Sequence, residues 1–211
     1  MVLLLDAANT LISKPSFFSK FREVLETHGY PVDDKHFRYH HKLISEVIIF
    51  PDKTSQSFYE SFNAELLYSL GIIPTKALLE NLFNACSYLP WEKFDDTNAL
   101  HNWNGTLSVL SNFHKGLTGM LEDFFPGMFG AITISENTQY RKPQVEFYLE
   151  AVKALGVPPQ KIIYIGDSPK LDLEPALAAG MNAWVIDRDD FFPACTRRIL
   201  SLHQIFEKIG E

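Results

Sequence analysis

Val2-Leu3-Leu4-Leu5-Asp6 is a run of four apolar residues ended by a carboxylate. A run this short, with no polar alternation, reads as a strand buried on both faces, as in a parallel sheet covered by helices. Asp6 then sits at the carboxyl end of that strand. Leu107-Ser108-Val109-Leu110, Ala131-Ile132-Thr133-Ile134, Ile162-Ile163-Tyr164-Ile165 and Ala183-Trp184-Val185-Ile186 read as further strands. A short helix near 97–103 precedes them, and helical runs from Val145 to Leu155 and around 172–179 separate the later ones; Gly180 caps the last. Strands alternating with helices predict an α/β chain with a parallel sheet and right-handed crossovers.

Residues 17–88 break that rhythm. Phe17, Phe18, Phe21, Val24 and Leu25, then Phe58, Phe62, Leu66 and Leu67, recur at spacings of three and four, the period of an amphipathic helix. Four helices are predicted, near 16–28, 34–49, 55–70 and 76–87, with Ser16, Asp33, Thr54 and Thr75 as N-caps and Gly29 and Gly71 ending the first and third. The block reads as an insertion, residues 15–89, into a sheet domain made of 1–14 and 90–211.

Ligands of an open parallel sheet bind beyond the carboxyl ends of its strands. The polar residues there are Asp6, Ser111-Asn112 and Gly166-Asp167-Ser168, joined by Lys142 of Arg141-Lys142-Pro143 and by Asp172. Carboxylates converging beside a lysine and a hydroxyl suit a Mg²⁺-assisted reaction at an anionic group, since a hard dication takes oxygen ligands. Asp6 could also attack as a nucleophile. Read singly, each residue has a plainer role: Asp167-Ser168-Pro169 is a good helix start, Asp172 a helix cap, and Ser111-Asn112 a turn.

Composition narrows the function. A formal net charge of −7, with no Lys/Arg run longer than two residues, disfavours a nucleic-acid partner, because phosphate-backbone binding needs a positive patch. Cys86 and Cys195 are far apart and in no metal-binding spacing, which suits a reducing compartment. The apolar run at 2–5 is too short for a signal segment, and no stretch reaches the roughly 18 apolar residues of a membrane span. The expectation is a cytoplasmic protein acting on a small molecule, with no membrane partner; its oligomeric state is not legible. His36 and His40 share a helix face at i,i+4, and His41 follows, which invites a zinc reading, but no matching Glu or third ligand joins that pair, and a cap-helix face is the simpler account.

Taken together, the residues resemble the haloacid dehalogenase-like superfamily. Asp6-Ala7-Ala8-Asn9-Thr10 is similar to its first motif, Ser111-Asn112 to the second, Lys142-Pro143 to the third and Gly166-Asp167-Ser168-Pro169-Lys170-Leu171-Asp172 to the fourth. Their order resembles the subfamily whose helical cap lies between the first two motifs. The resemblance implies a Rossmann-like core with a four-helix cap at 15–89. It implies Mg²⁺ held by Asp6, the backbone carbonyl of Ala8 and Asp167, with Asp172 in support. Asp6 would be the nucleophile and Lys142 its catalytic partner, with Asn9, Thr10, Ser111, Asn112 and Lys142 binding the transferred group. A cap of this kind closes over the site, with hinges expected near Ser13-Lys14-Pro15 and Leu89-Pro90-Trp91.

One position departs from the pattern. The family's phosphatases carry a second aspartate two residues after the nucleophile, as general acid and base, and here that residue is Ala8. Such a group contributes about 10²–10⁴-fold. Three readings stay open: a hydrolase whose acid comes from elsewhere, a phosphonate hydrolase using a cap lysine (Lys35, Lys42 or Lys53), or a binding protein that keeps the fold. The dehalogenase pattern has tyrosine at this position and is least favoured. A branch similar to the rhythmically expressed gene products also lacks the second aspartate.

Overall fold

The computed structural model describes residues 1–209. In chain order it runs β1 (Val2–Leu5), β2 (Ile12–Ser13), α1 (Ser16–Thr27), α2 (Asp34–Val47), α3 (Gln56–Ser69), α4 (Lys76–Cys86) and β3 (Glu92–Lys93). A 3₁₀ segment Asp95–Asn102 leads to β4 (Thr106–Ser111), α5 (Leu117–Phe124), β5 (Ala131–Ile134), α6 (Val145–Leu155) and β6 (Ile162–Gly166). A π-turn Pro169–Leu173 then runs into α7 (Glu174–Ala178), followed by β7 (Asn182–Ile186), β8 (Arg198–Ile199) and α8 (Ile205–Ile209). The chain divides into two compact units, Met1–Ser13 with Lys93–Glu211, and Lys14–Glu92.

The first unit is built on a six-stranded sheet of order β5-β4-β1-β6-β7-β8, parallel at every pairing. This is the α/β architecture expected. Leu3 lies opposite Leu107 on one side and Ile163 on the other, so β1 has a neighbouring strand on each edge. All four of its residues are buried, which explains why Val2–Leu5 shows no polar alternation. On one face Val2, Leu4, Leu110, Phe147, Tyr148, Ile162, Tyr164 and Ala183 pack into a continuous core.

Three departures from the sequence reading have local causes. The expected helix around 172–179 is a π-turn followed by a short α-helix. Pro175 has no N–H to donate to the carbonyl four residues back, and the Tyr148 hydroxyl bonds that carbonyl, Leu171 O, instead. The expected short helix near 97–103 is the 3₁₀ segment. Helix α5 was not expected, although Leu117, Met120, Leu121 and Phe124 have helical spacing and Leu117 and Leu121 are buried. It lacks a side-chain cap, Gly116 standing at its N-cap, so the usual start signal is missing.

The second unit contains the four helices at the expected positions. Asp33 caps α2 by accepting from the His36 N–H at 2.9 Å, and Thr75 caps α4 through the Leu78 N–H at 3.2 Å. Two expected caps are corrected. Pro15 precedes α1, which has no side-chain cap, and Ser55 rather than Thr54 caps α3, through the Phe58 N–H. Gly29 and Gly71 adopt left-handed φ values of 82° and 75°, as residues just beyond a helix C-terminus commonly do. Phe21, Leu25, Phe37, Phe62, Leu66, Leu67, Leu78 and Leu82 form this unit's core. Among the described residues no helix is long and apolar enough to cross a membrane.

Candidate active site

Strands β4, β1 and β6 are adjacent and parallel, with Leu5 level with Val109 and Ile165. The residues that follow them therefore meet at one edge. The Asp6 N–H extends the ladder by one bond, to Ile165 O at 2.8 Å, which fixes where its carboxylate leaves the sheet.

That carboxylate is the hub of a buried network. Asp6 Oδ1 accepts from Lys142 Nζ at 2.5 Å and from the Ser111 hydroxyl at 3.1 Å. Lys142 Nζ also donates to Asp172 Oδ1 at 2.6 Å, and the Tyr164 hydroxyl donates to the same oxygen at 2.6 Å. Asp172 Oδ2 accepts the Ser168 N–H at 3.0 Å. Ser168 keeps its helix-start role as well, its hydroxyl accepting from the Leu171 N–H at 2.8 Å.

Lys142 is held from behind by Asn112. The Lys142 N–H donates to Asn112 Oδ1 at 2.8 Å, and Asn112 Nδ2 donates to Lys142 O at 3.0 Å. Asn112, expected among the groups that touch substrate, thus uses both ends of its amide on the lysine backbone. The Lys142-Pro143 peptide bond is cis. Gly166 makes room for the cluster, because a Cβ there would run into the Asp172 carboxylate.

The electrostatics are those of a dry, crowded site. Burial pushes the Asp6 carboxyl up to about 7; the neighbouring Lys142 charge pulls it down, and the carboxylates of Asp172 and Asp167 push it up again. Burial would lower Lys142, but Asp172 and Asp6 outweigh it and hold the ammonium above its ordinary range. Burial, then the Asp172 charge, keeps the Tyr164 phenol protonated far above its usual range, so it serves as a donor.

Asp6, Asp167 and Asp172 bring carboxylate oxygens within 4.8 Å of one another. Three carboxylates against one ammonium leave an excess of negative charge in a site that water screens poorly. An all-oxygen donor set of that charge fits a hard dication such as Mg²⁺. The loop after β1 turns tightly, Asn9 having φ 59° and its N–H bonding Ile12 O at 2.7 Å. Thr10 is fully buried, and its hydroxyl has no hydrogen-bond partner.

The histidine and lysine candidates of the second unit are placed differently. His36 and His40 rings lie 4.3 Å apart, and His40 Nδ1 meets Ser69 Oγ at 3.1 Å. Lys35 and Lys53 are exposed, and Lys42 pairs with Glu46 at 2.9 Å. Two contributors escaped the sequence reading. Tyr164 was legible as a polar aromatic inside a buried strand. Arg188, which donates to the carbonyls of Asn9 and Thr10, gave no signal, because those partners are far away in sequence.

A parallel α/β sheet here gathers an aspartate, a hydroxyl, a lysine and two more carboxylates at adjoining strand ends, a set of groups that could hold a metal ion. The sequence profile of the haloacid dehalogenase-like hydrolases matches residues 97–186. Haloacid dehalogenase-like hydrolase domain-containing protein 3 of Danio rerio is 29% identical over 121 residues, 54% of this chain and 49% of that protein. A glyceraldehyde 3-phosphate phosphatase of Methanopyrus kandleri is 38% identical over 53 residues, 25% of this chain and 23% of that one. These matches span about half and about a quarter of the two curated relatives. Among solved structures, the HAD-hydrolase YfnB of Bacillus subtilis, bound to magnesium, superposes with a TM-score of 0.64 at 19% identity, covering 100% of this chain and 98% of that one. Residues 97–186 thus match the haloacid dehalogenase-like hydrolase family, and the whole chain shares the fold of solved structures described as such hydrolases.

Proposed function

We propose that the chain is a cytoplasmic Mg²⁺-dependent hydrolase of a small phosphorylated metabolite, with Asp6 as nucleophile and Lys14–Glu92 as its cap. The observation that carries this reading is the buried Asp6–Lys142–Asp172 network with Ser111 on the same Asp6 oxygen. Asp6, Asp167 and the Ala8 carbonyl would hold Mg²⁺, with Asp172 in support. Bound there, the ion supplies charge against the phosphoryl oxygens and keeps the Asp6 carboxyl ionised.

Asp6 attacks phosphorus and displaces the leaving group, and water then releases phosphate from the aspartyl intermediate. Lys142 and Ser111 donate to the oxygens on which charge develops, usually the largest catalytic contribution, while Asn9 and Thr10 line the loop that receives the group. Asn112 acts through Lys142, whose backbone it fixes. With Ala8 in place of an acid, this loop cannot protonate the leaving oxygen, so substrates with acidic leaving groups are favoured.

Mg²⁺-dependent phosphate release from a panel of alkyl and aryl phosphates tests the reading, comparing wild type, Ala8→Asp and Asp6→Asn. Wild-type turnover of aryl esters, abolished in Asp6→Asn, is expected. Ala8→Asp should raise alkyl-ester turnover by about 10²-fold or more. Full activity in Asp6→Asn would remove the assigned nucleophile, and turnover by Ala8→Asp alone would favour phosphonate cleavage or a binding role for the natural chain.

A further inference from the structure

A cation outside the carboxylate network grips the loop that follows Asp6. Arg188, just beyond β7, donates from Nη1 to Asn9 O at 3.0 Å and from Nη2 to Thr10 O at 2.9 Å. Its other edge makes a two-point bond to Asp96, Nε to Oδ2 at 3.0 Å and Nη2 to Oδ1 at 2.8 Å. The guanidinium carbon lies over the Phe94 ring, 3.8 Å from its centroid. Asp96 Oδ2 also accepts the Leu202 N–H at 3.0 Å, so the acceptor is itself anchored. The side chains of Arg188 and Asp96 are largely buried, at 19% and 14% exposure.

The clamped carbonyls adjoin the one that matters for the metal. A peptide unit is planar and trans, so the Ala8 C=O points opposite to the Asn9 N–H. That N–H is committed to Ile12 O at 2.7 Å. The same residue is held at φ 59°, a conformation that Asn tolerates and most side chains avoid. Arg188 holds the carbonyls on the far side of that residue, so the Ala8 peptide plane is fixed at its N–H and by its neighbour. The Ala8 carbonyl cannot turn without breaking a charge-assisted bond or the left-handed turn.

We infer that Arg188, seated by Asp96 and Phe94, is a positioning residue that aims the Ala8 backbone carbonyl at the metal. This rests on the metal-assisted reading above. A lysine cannot replace it, since an ammonium is a point charge without the planar fork that reaches two carbonyls and a carboxylate at once. Groups that orient a metal's ligands typically change metal affinity by about 10–100-fold when removed.

Calorimetric titration of Mg²⁺ into the full chain tests this, with wild type, Arg188→Lys, Asp96→Asn and, as a site control, Asp167→Asn. Each variant is held well below its own unfolding temperature in EDTA and shown to be folded by near-ultraviolet circular dichroism. Arg188→Lys is expected to weaken Mg²⁺ by about tenfold or more, and Asp96→Asn, which keeps an oxygen acceptor, by less. Folded Arg188→Lys with wild-type Mg²⁺ affinity, while Asp167→Asn loses binding, overturns the clamp and spares the metal reading. No Mg²⁺ binding by wild type overturns both. If Arg188→Lys does not fold, unchanged affinity in Asp96→Asn overturns the role.

Discussion

The helical unit buries a histidine among phenylalanines, whereas the sheet unit buries two carboxylates, Asp6 and Asp172, on either side of a lysine. His41 sits 5.1, 5.3 and 5.5 Å from the ring centroids of Phe17, Phe18 and Phe62. Burial, helped by Lys42 and Arg38, pulls it down to about 3, so at neutral pH it is a neutral packing group. Asp6 goes the other way, pushed up to about 7, and its bonded neighbours are an ammonium and a hydroxyl. The difference separates packing from chemistry: a group made neutral by apolar neighbours settles a core, while charges held together in a dry site are kept ready for a ligand.

Removing the lysine breaks that comparison most sharply. Lys142→Met leaves Asp6 and Asp172 facing each other without a counterion, and breaking a buried pair from one side costs about 3–5 kcal/mol. Chemical denaturation in EDTA should show a loss of that size, partly restored by Mg²⁺, because binding to the folded state alone stabilises it. An undiminished unfolding free energy would mean that water already screens the cluster.

Gly166→Ala probes the same site without touching a charge. Its Cβ collides with the Asp172 carboxylate, and overpacking of this kind costs about 1–3 kcal/mol. Loss of Mg²⁺ affinity is expected along with the stability. Wild-type values for both would show that Asp172 can withdraw freely.

The smallest effect is a slope. In metal-free protein the Asp6 carboxyl binds its proton more tightly when folded, so from about pH 4 to 7 the folded state holds more protons and stability falls as pH rises. His41 has the opposite sign: below pH 6.5 the unfolded chain takes up a proton that the folded chain refuses down to about 3, so stability falls as pH falls. The two trends oppose each other through the mildly acidic range. His41→Phe should unmask the Asp6 trend, giving metal-free protein that gains stability on acidification from pH 7 to 5. A profile unchanged from wild type would show that His41 is protonated in the fold.

The motif residues were legible because strand ends are. A buried strand ending in Asp6, Ser111 or Gly166-Asp167 marks where a parallel sheet presents polar groups, and the four helices of Lys14–Glu92 announce themselves through periodicity and through Asp33 and Thr75. Helix α5 and β8 were not legible. The first has glycine where a cap is expected, and the second is two residues long, made a strand by pairing with Val185 and Ile186.

By itself the sequence determined the local content: which runs are strands or helices, where the carboxylates and the lysine lie along them, and that Ala8 carries no acid. The tertiary structure decided how those groups are used. It turned Asn112 inward onto the backbone of Lys142, recruited Tyr164 to the oxygen of Asp172 that Lys142 also bonds, and brought Arg188 across the fold to the carbonyls of Asn9 and Thr10. Periodicity and turn chemistry act over a few residues, so they can be read along a chain. Hydrogen-bond partners at the edge of a sheet are set by strand order, which only folding supplies.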